Sequence, residues 1–331
     1  MKTQVLITID TEFSIGGAFA DPERNRPVGP QAVMCEVGGR SHGLQFLLDT
    51  FAEFGTKATF FVEALNTHFF GDGPMADIAR RIRAAGQDVQ LHLHPCWTYF
   101  ARPDWRERLR DDPPSDHMHS REVATLVAWM EQGIAAFERW GVGKPAALRT
   151  GSMMADMNVY RAMEAVGLRI ASNIGFAMYQ PRDPRLHLYS GLHRIGGIIE
   201  APVLTYTDLA IGGKTHCKSL TVTGTSWGES RALLEHARRE AVHTVVLLTH
   251  PFEFVKYTSP GFGNVQPNPM NQTRLRRLCE YLARHDDEFE TVPVTALEVQ
   301  TPDGRNTILH VPVHRTLGRI LQNQWNGLRS A

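Results

Sequence analysis

Two short stretches carry residues able to do metal or acid–base chemistry. Along 4 to 12 the side chains of a strand alternate, so Leu6, Thr8, Asp10 and Glu12 share one face and Val5, Ile7 and Ile9 the other. The apolar face should pack on helices. Two carboxylates are then left at the carboxyl end of the opposite face, where barrels of parallel strands place their chemistry. Alone, this pair reads as well as a helix cap or a salt-bridged loop acid. The stretch 88 to 95 (DVQLHLHP) adds His92 and His94 on the face of Gln90, opposite Val89, Leu91 and Leu93. Two imidazoles two residues apart at a strand end can converge on one ion, and imidazole with carboxylate is a usual ligand set for zinc or another divalent metal. Next to a strand carrying Asp10 and Glu12, a metal site is the better reading. His117 and His119 have the same spacing but sit in a Pro- and Asp-rich stretch, which favours a solvated loop.

Two single residues end other strands. Arg149 in ALRTGS is either a structural ion-pair partner or the group that orients a catalytic carboxylate, and Gly151 beside it allows close backbone approach. His250, ending TVVLLTH, is either a packed strand-end histidine or a general acid, since imidazole titrates near neutral pH.

Strands are expected at 4–10, 57–63, 88–94, 146–150, 168–173, 196–203, 244–250 and 289–293, alternating with helical stripes. Leu44, Leu47, Leu48, Phe51 and Phe54 form one stripe. Ser120 is the expected N-cap of a second, with Val123, Leu126, Val127, Met130, Ile134 and Phe137 buried and Gly141 as its stop. Such alternation implies an α/β fold of parallel strands with helices outside, as an open sheet or a closed barrel. The clusters Arg80–Arg83 and Arg274–Arg277 read as solvated helix faces. Three stretches interrupt the pattern, 13–43, 101–119 and 256–271, each after a motif strand. Loops this long inside a compact domain are more often functional than not.

The chain has 331 residues with 35 basic and 35 acidic side chains, so it lacks the bulk charge on which polyanion binders rely, although local patches remain open. No nucleic-acid partner is expected. There is no run of ~18 apolar residues, hence no membrane span, and no secretory pattern at the N-terminus, so a cytoplasmic location is expected. Cys35, Cys96, Cys217 and Cys279 are scattered and read as reduced thiols rather than a disulfide framework. Oligomeric state is not legible.

The order and wording of these motifs resemble the polysaccharide-deacetylase superfamily, the NodB-type carbohydrate esterases. The matching pieces are Thr8-Ile9-Asp10, Ala58-Thr59-Phe60-Phe61-Val62, Gly86 to His92 with His94-Pro95, Leu148-Arg149-Thr150-Gly151 and Leu247-Leu248-Thr249-His250. The resemblance spans about 4–295. It implies a distorted (β/α) barrel of seven or so strands, one catalytic domain over 1–331 with the three loops as insertions and 296–331 as a C-terminal extension. It also implies a divalent-metal hydrolase that removes acetyl groups from N-acetylated sugars or glycans. By position, Asp10 would be the general base, His92 a metal ligand, Arg149 the residue that holds the base and His250 the general acid. The superfamily pattern has a second aspartate directly after the first, and a second histidine four residues after the first. Here Thr11 follows Asp10, the next acid is Glu12, and His94 lies two after His92. Strand alternation keeps both changes compatible with a set of Glu12, His92 and His94 holding Zn²⁺, with Co²⁺, Ni²⁺ or Mn²⁺ as alternatives. Glu200 and Asp208 are candidate acid partners for His250. Trp97 and Tyr99 are either a platform for a sugar ring or loop packing. The H-x-H variant resembles a bacterial branch linked to surface-polysaccharide or lipopolysaccharide synthesis. Two rivals stand beside this reading: hydrolysis of another small amide or cyclic ureide, and a catalytically degenerate sugar-binding protein, suggested by the missing second aspartate.

Overall fold

A computed structural model describes residues 2–211 and 214–328; positions 329–331 of the expected C-terminal extension lie outside the described residues. In chain order the strands of the two larger sheets are β1 (Thr3–Thr11), β2 (Ala58–Glu63), β3 (Asp88–Leu93), β4 (Ala147–Thr150), β5 (Ile170–Ala171), β6 (His193–Ile195), β7 (Ile198–Glu200), β8 (Thr205–Ile211), β9 (Lys214–Ser219), β10 (Thr244–Thr249), β11 (Phe289–Thr291) and β12 (Leu309–His310). All eight expected strands are among them, β5 and β7 shorter than expected. β6, the β8–β9 hairpin and β12 are additions. The helices that matter below are α1 (Leu44–Phe54), α2 (Gly73–Ala84), α3 (Val123–Trp140), α4 (Met157–Val166), α5 (Trp227–Arg239), α6 (Pro269–Arg284) and α7 (Val313–Leu328).

The main sheet runs β10-β1-β2-β3-β4-β5-β7 with every neighbour parallel, β6 antiparallel on β7, and β11 beside the start of β1. It curls until its two sides meet. Val203, just past β7, bridges Val246 of β10, and the Leu204 N–H donates to the Val246 carbonyl at 3.0 Å. The result is the distorted (β/α) barrel that the resemblance implied. Alternation sorts its two faces as expected. Val5, Ile7 and Ile9 pack outward with Leu44, Leu47 and Phe51 of α1, while Leu6, Phe61, Ile170, Ile199, Val246 and Leu248 form a separate inner cluster. Each such side chain fully buried is worth ~1.5–3 kcal/mol, so both faces resist a register slip.

Register sets the rim. His92 lies opposite Arg149, Glu63 opposite His92, and Ile9 opposite Thr249, so Asp10, His92, Arg149 and His250 arrive at neighbouring strand ends on one level.

Two local expectations are corrected. Ser120 is not the cap of α3: it sits at φ +60°, its N–H donates to Asp156, and the helix begins at Val123 after an uncapped Glu122. Gly141 does stop α3, in the left-handed conformation. Arg274 is not solvated: it is buried, donating to the Thr223 carbonyl and to Asn323 of α7. Periodicity marked its helix but not the later helix that covers it. The C-terminal segment is tied in by β12, which pairs with β8, and by the buried Arg319 of α7, which bonds Asp208 and Glu229. The four cysteines are free thiols.

Candidate active site

Asp10 stands at the centre of the rim, 4% exposed. Its Oδ1 accepts from Arg149 Nη1 at 2.8 Å, and its Oδ2 lies 3.9 Å from both His92 Nε2 and His250 Nε2. Arg149 is wholly buried under the site over the Phe61 ring. It also donates to Thr8 Oγ1, to the Ser172 carbonyl and to Ser172 Oγ. Every one of these contacts constrains the guanidinium, so the carboxylate it holds has one orientation.

Beside Asp10, Glu12 Oε2 lies 3.2 Å from His92 Nε2 and 2.7 Å from His94 Nε2. Their ligand atoms fall within 4.8 Å of one another. What the other imidazole nitrogens do is informative. His92 Nδ1 is 2.9 Å from the Arg149 carbonyl, which can only accept, so Nδ1 carries the proton. His94 Nδ1 donates to Asp116 at 2.6 Å. With both Nδ1 protons placed in this way, both Nε2 lone pairs can turn to a cation shared with Glu12; without one, Glu12 and Asp116 raise the His94 pKa well above its ordinary value and the imidazolium lies between the two carboxylates. A divalent metal ion would find a two-His, one-Glu donor set there, and carbonyl- and carboxylate-backed imidazoles are the outer partners such ligands use. The residues present fit the expected metal. Burial works against ionisation of Glu12, yet the charge of His94 and hydrogen bonds from both imidazoles hold its carboxyl well below the usual range.

Close packing fixes His94. A Cβ on Gly151 would meet its Nδ1 at 2.5 Å, which is why the strand-end glycine is needed. Its backbone N–H donates to Glu63 Oε1 at 3.2 Å, and Glu63 also accepts from the N–H groups of Leu65 and Asn66. Burial raises the Glu63 carboxyl to about 8.

His250 is held by Glu253, whose Oε1 accepts from Nδ1 at 3.0 Å and whose Oε2 accepts from Thr249 Oγ1 at 2.6 Å. The His250 ring stacks on Phe252. Burial opposes its protonation, but the Glu253 hydrogen bond and charge, with Asp10 and Glu12 beyond, raise its pKa to about 9.

The acid partner is thus Glu253, and the candidates Glu200 and Asp208 are corrected. Glu200 accepts from Tyr160 and from the Asn173 and Ile174 N–H groups; Asp208 bonds Arg319 and His216. Both acids lie on strands, but their partners lie elsewhere: α4 and the loop after β5 for Glu200, α7 and β9 for Asp208. Glu253 follows His250 by three residues in one 3₁₀ turn, and that spacing is a signal sequence reading could have used. Asp116 had no such signal among Asp111, Asp112 and Asp116 of the same loop.

A cavity of about 230 Å³ opens over the rim, walled by Glu12, His94, Asp116, Trp97, Phe252 and Tyr257 among others. All three interrupting loops contribute to it: Phe13 and Ser14 from the first, Asp116 from the second, Tyr257 and Phe262 from the third. Trp97 is 1% exposed and touches this wall from within an aromatic cluster with Phe70 and Phe100. Tyr99 is absent from the lining; it packs edge-on to Phe19 under Arg102, so its platform role is corrected to loop packing. His117 is exposed, and His119 stacks on Tyr179 outside the cavity, in line with a solvated loop.

No protein-family model and no curated protein matches the chain. Among solved structures it is similar to a protein assigned as a polysaccharide deacetylase from Mycobacterium smegmatis, at 18% identity and a TM-score of 0.53, over 93% of this chain and 96% of that one. Weaker likenesses include a family 4 carbohydrate esterase from Streptomyces lividans in complex with acetate (13%, TM-score 0.44, 93% and 98%). Another is a family 4 pseudoenzyme from Bacillus anthracis (12%, TM-score 0.44, 94% and 70%). The first likeness shows the fold: the chain shares the barrel of that structure.

Proposed function

We propose that the chain is a divalent-metal-dependent hydrolase that removes an acetyl group from an N-acetylated sugar or glycan. One observation carries this reading: a buried carboxylate, Asp10, lies 3.9 Å from an imidazole of the candidate ligand set on one side and from a carboxylate-backed histidine on the other. Glu12, His92 and His94 would hold the metal, and Zn²⁺ suits two imidazoles and a carboxylate. When bound, the ion supplies Lewis-acid polarisation and a lowered pKa for water in its shell.

The chain's own residues do the rest. Asp10, fixed by Arg149, takes a proton from the attacking water as its oxygen bonds to the acyl carbon. His250, held protonated by Glu253, stands on the far side of Asp10 and donates its Nε2 proton to the nitrogen as the C–N bond breaks. Amide cleavage needs that proton because an unprotonated amine leaves poorly. Asp116 and the Arg149 carbonyl keep both ligand imidazoles in one tautomer. The pocket falls below the roughly 300–1,000 Å³ of usual ligand sites and suits one sugar-sized unit. The H-x-H spacing puts glycans of bacterial surface-polysaccharide synthesis first among those to try.

Retention of a complete base, base-holder and acid favours catalysis over the degenerate sugar-binding reading. Metal-loaded protein is to be assayed for acetate release from N-acetylated sugars, nucleotide sugars and lipid-linked glycans. Acetate release abolished in Asp10→Asn supports the proposal. Turnover of small amides or cyclic ureides without any acetate release would replace it with the other hydrolase.

A further inference from the structure

His94 belongs to two clusters of ligand-bearing side chains. Besides the set with Glu12 and His92, it stands with Cys96 and Asp116, and the donor atoms of this second group also fall within 4.8 Å of one another. Cys96 lies in the 3₁₀ turn Pro95–Ala101 that follows β3 and is 7% exposed, while Asp116 comes from the second interrupting loop. The Asp116 carboxylate lies 2.6 Å from His94 Nδ1 and accepts the Cys96 N–H at 3.3 Å, so turn and loop are already drawn together. All three residues line the catalytic cavity, which gives an ion a way in. The proposed reaction makes no use of the thiol.

Opposite nitrogens of one ring serve the two sets. Nε2 faces Glu12 at 2.7 Å, and Nδ1 faces Asp116. The ring cannot swing between them, because it packs on Gly151, where a Cβ would come within 2.5 Å of Nδ1. A metal ligand must offer a lone pair, and an imidazole that keeps one proton has one to offer. An ion taken up on Nε2 leaves the proton on Nδ1, shared with Asp116. An ion taken up on Nδ1 leaves it on Nε2, donated to Glu12. The two positions exclude each other, and the remaining donors decide between them. Two imidazoles and a carboxylate suit Zn²⁺, Co²⁺ or Mn²⁺, whereas a thiolate selects softer ions.

We propose that His94, Cys96 and Asp116 form a second, alternative site for a soft divalent cation such as Cd²⁺, and that a chain holds an ion in one set or the other. On uptake the metal-free His94 imidazolium gives up its Nδ1 proton and the Cys96 thiol its S–H proton, both to solvent. Bonds form from the ion to Nδ1, Sγ and an Asp116 oxygen, with no change of oxidation state. An ion placed there leaves Glu12 and His92 without their third ligand, so a soft cation displaces the hydrolase metal instead of joining it. The exclusion rests on the proposed set of Glu12, His92 and His94; the thiolate site stands without it.

The test is titration of the reduced, metal-free full chain with Cd²⁺, read by thiolate-to-cadmium charge-transfer absorption in the ultraviolet and by equilibrium dialysis. Expected are one Cd²⁺ per chain and a charge-transfer band, lost in Cys96→Ser and Cys96→Ala at unchanged melting temperature and kept in Glu12→Gln. In protein loaded with one equivalent of Co²⁺, Cd²⁺ should release that ion one for one. Absence of the band, or a band that both Cys96 variants retain, overturns the site. Cd²⁺ bound with Co²⁺ retained overturns the exclusion. A chain that takes up no Zn²⁺ or Co²⁺ yet shows the Cys96-dependent band would sink the proposed hydrolase metal while supporting the thiolate site.

Discussion

Arg149 reaches across the barrel interior to Asp10, Nη1 to Oδ1 at 2.8 Å, with no solvent on the guanidinium and almost none on the carboxylate. Breaking a buried pair on one side leaves the other charge uncompensated, at a cost of ~3–5 kcal/mol. Arg149→Ala should therefore lower unfolding free energy by about that much in denaturant titrations as well as abolish activity. Asp10→Asn keeps a neutral acceptor in place. It should cost 10²- to 10⁴-fold in turnover, on the order expected for loss of a general base, while stoichiometric metal content is retained. An Asp10→Asn protein with full hydrolase activity would remove the base assignment.

Glu253 accepts from His250 Nδ1, so in the proposed reaction it acts through that imidazole. Because the pair raises the His250 pKa to about 9, activity should fall as pH rises through that value and the acid is lost. Glu253→Gln removes the charge, lowers the His250 pKa and so moves the alkaline limb of kcat/KM to lower pH. A purely structural Glu253 would lower activity equally at every pH.

In the proposed ligand set, Asp116 and Gly151 both govern His94 from outside it. Asp116→Asn should weaken Zn²⁺ affinity by 10- to 100-fold, the usual effect of losing an outer carboxylate, as read by competition with a chromogenic chelator. Gly151→Ala places a methyl 2.5 Å from His94 Nδ1 and should weaken it at least as much. Exhaustive chelation should remove all hydrolase activity, and Zn²⁺ or Co²⁺ should restore it. Activity that persists in metal-free protein would eliminate the metal reading.

Glu200, no longer a partner of His250, predicts a stability effect instead. Burial raises its carboxyl from the ordinary 4.5 to about 7 in the folded chain, against the donors Tyr160, Asn173 and Ile174. Between those two values the native state holds a proton that the unfolded chain has released, so stability falls as pH rises, by up to about 1.4 kcal/mol per unit. Glu200→Gln should flatten this slope in melts recorded from pH 5 to pH 7. An unchanged slope would show that Glu200 is ionised throughout.

Positions on strands were legible because period-two alternation is dictated by backbone geometry alone. Asp10 with Glu12 and His92 with His94 could be paired by counting, and Val5, Ile7 and Ile9 could be turned outward in the same step. The end of α3 was legible too, from apolar spacing and its closing Gly141. The start of α3 was not, since Ser120 is spent on a left-handed turn toward Asp156. Glu200 and Asp208 looked like partners for His250 because they lie on or just past strands. Yet a carboxylate's partner depends on which helix or loop packs over it, and α4 and α7 claimed those two.

By itself the amino-acid sequence determined the parallel α/β architecture, the two polar strand ends and the residue types able to hold a metal. These are consequences of local periodicity, which each segment carries within itself. Only the tertiary structure decided that Arg149 reaches Asp10 from 139 residues away and that Asp116 backs His94 and Glu253 backs His250. Strand register and barrel closure bring those groups together, and loops and helix ends have no period from which their aim could be counted.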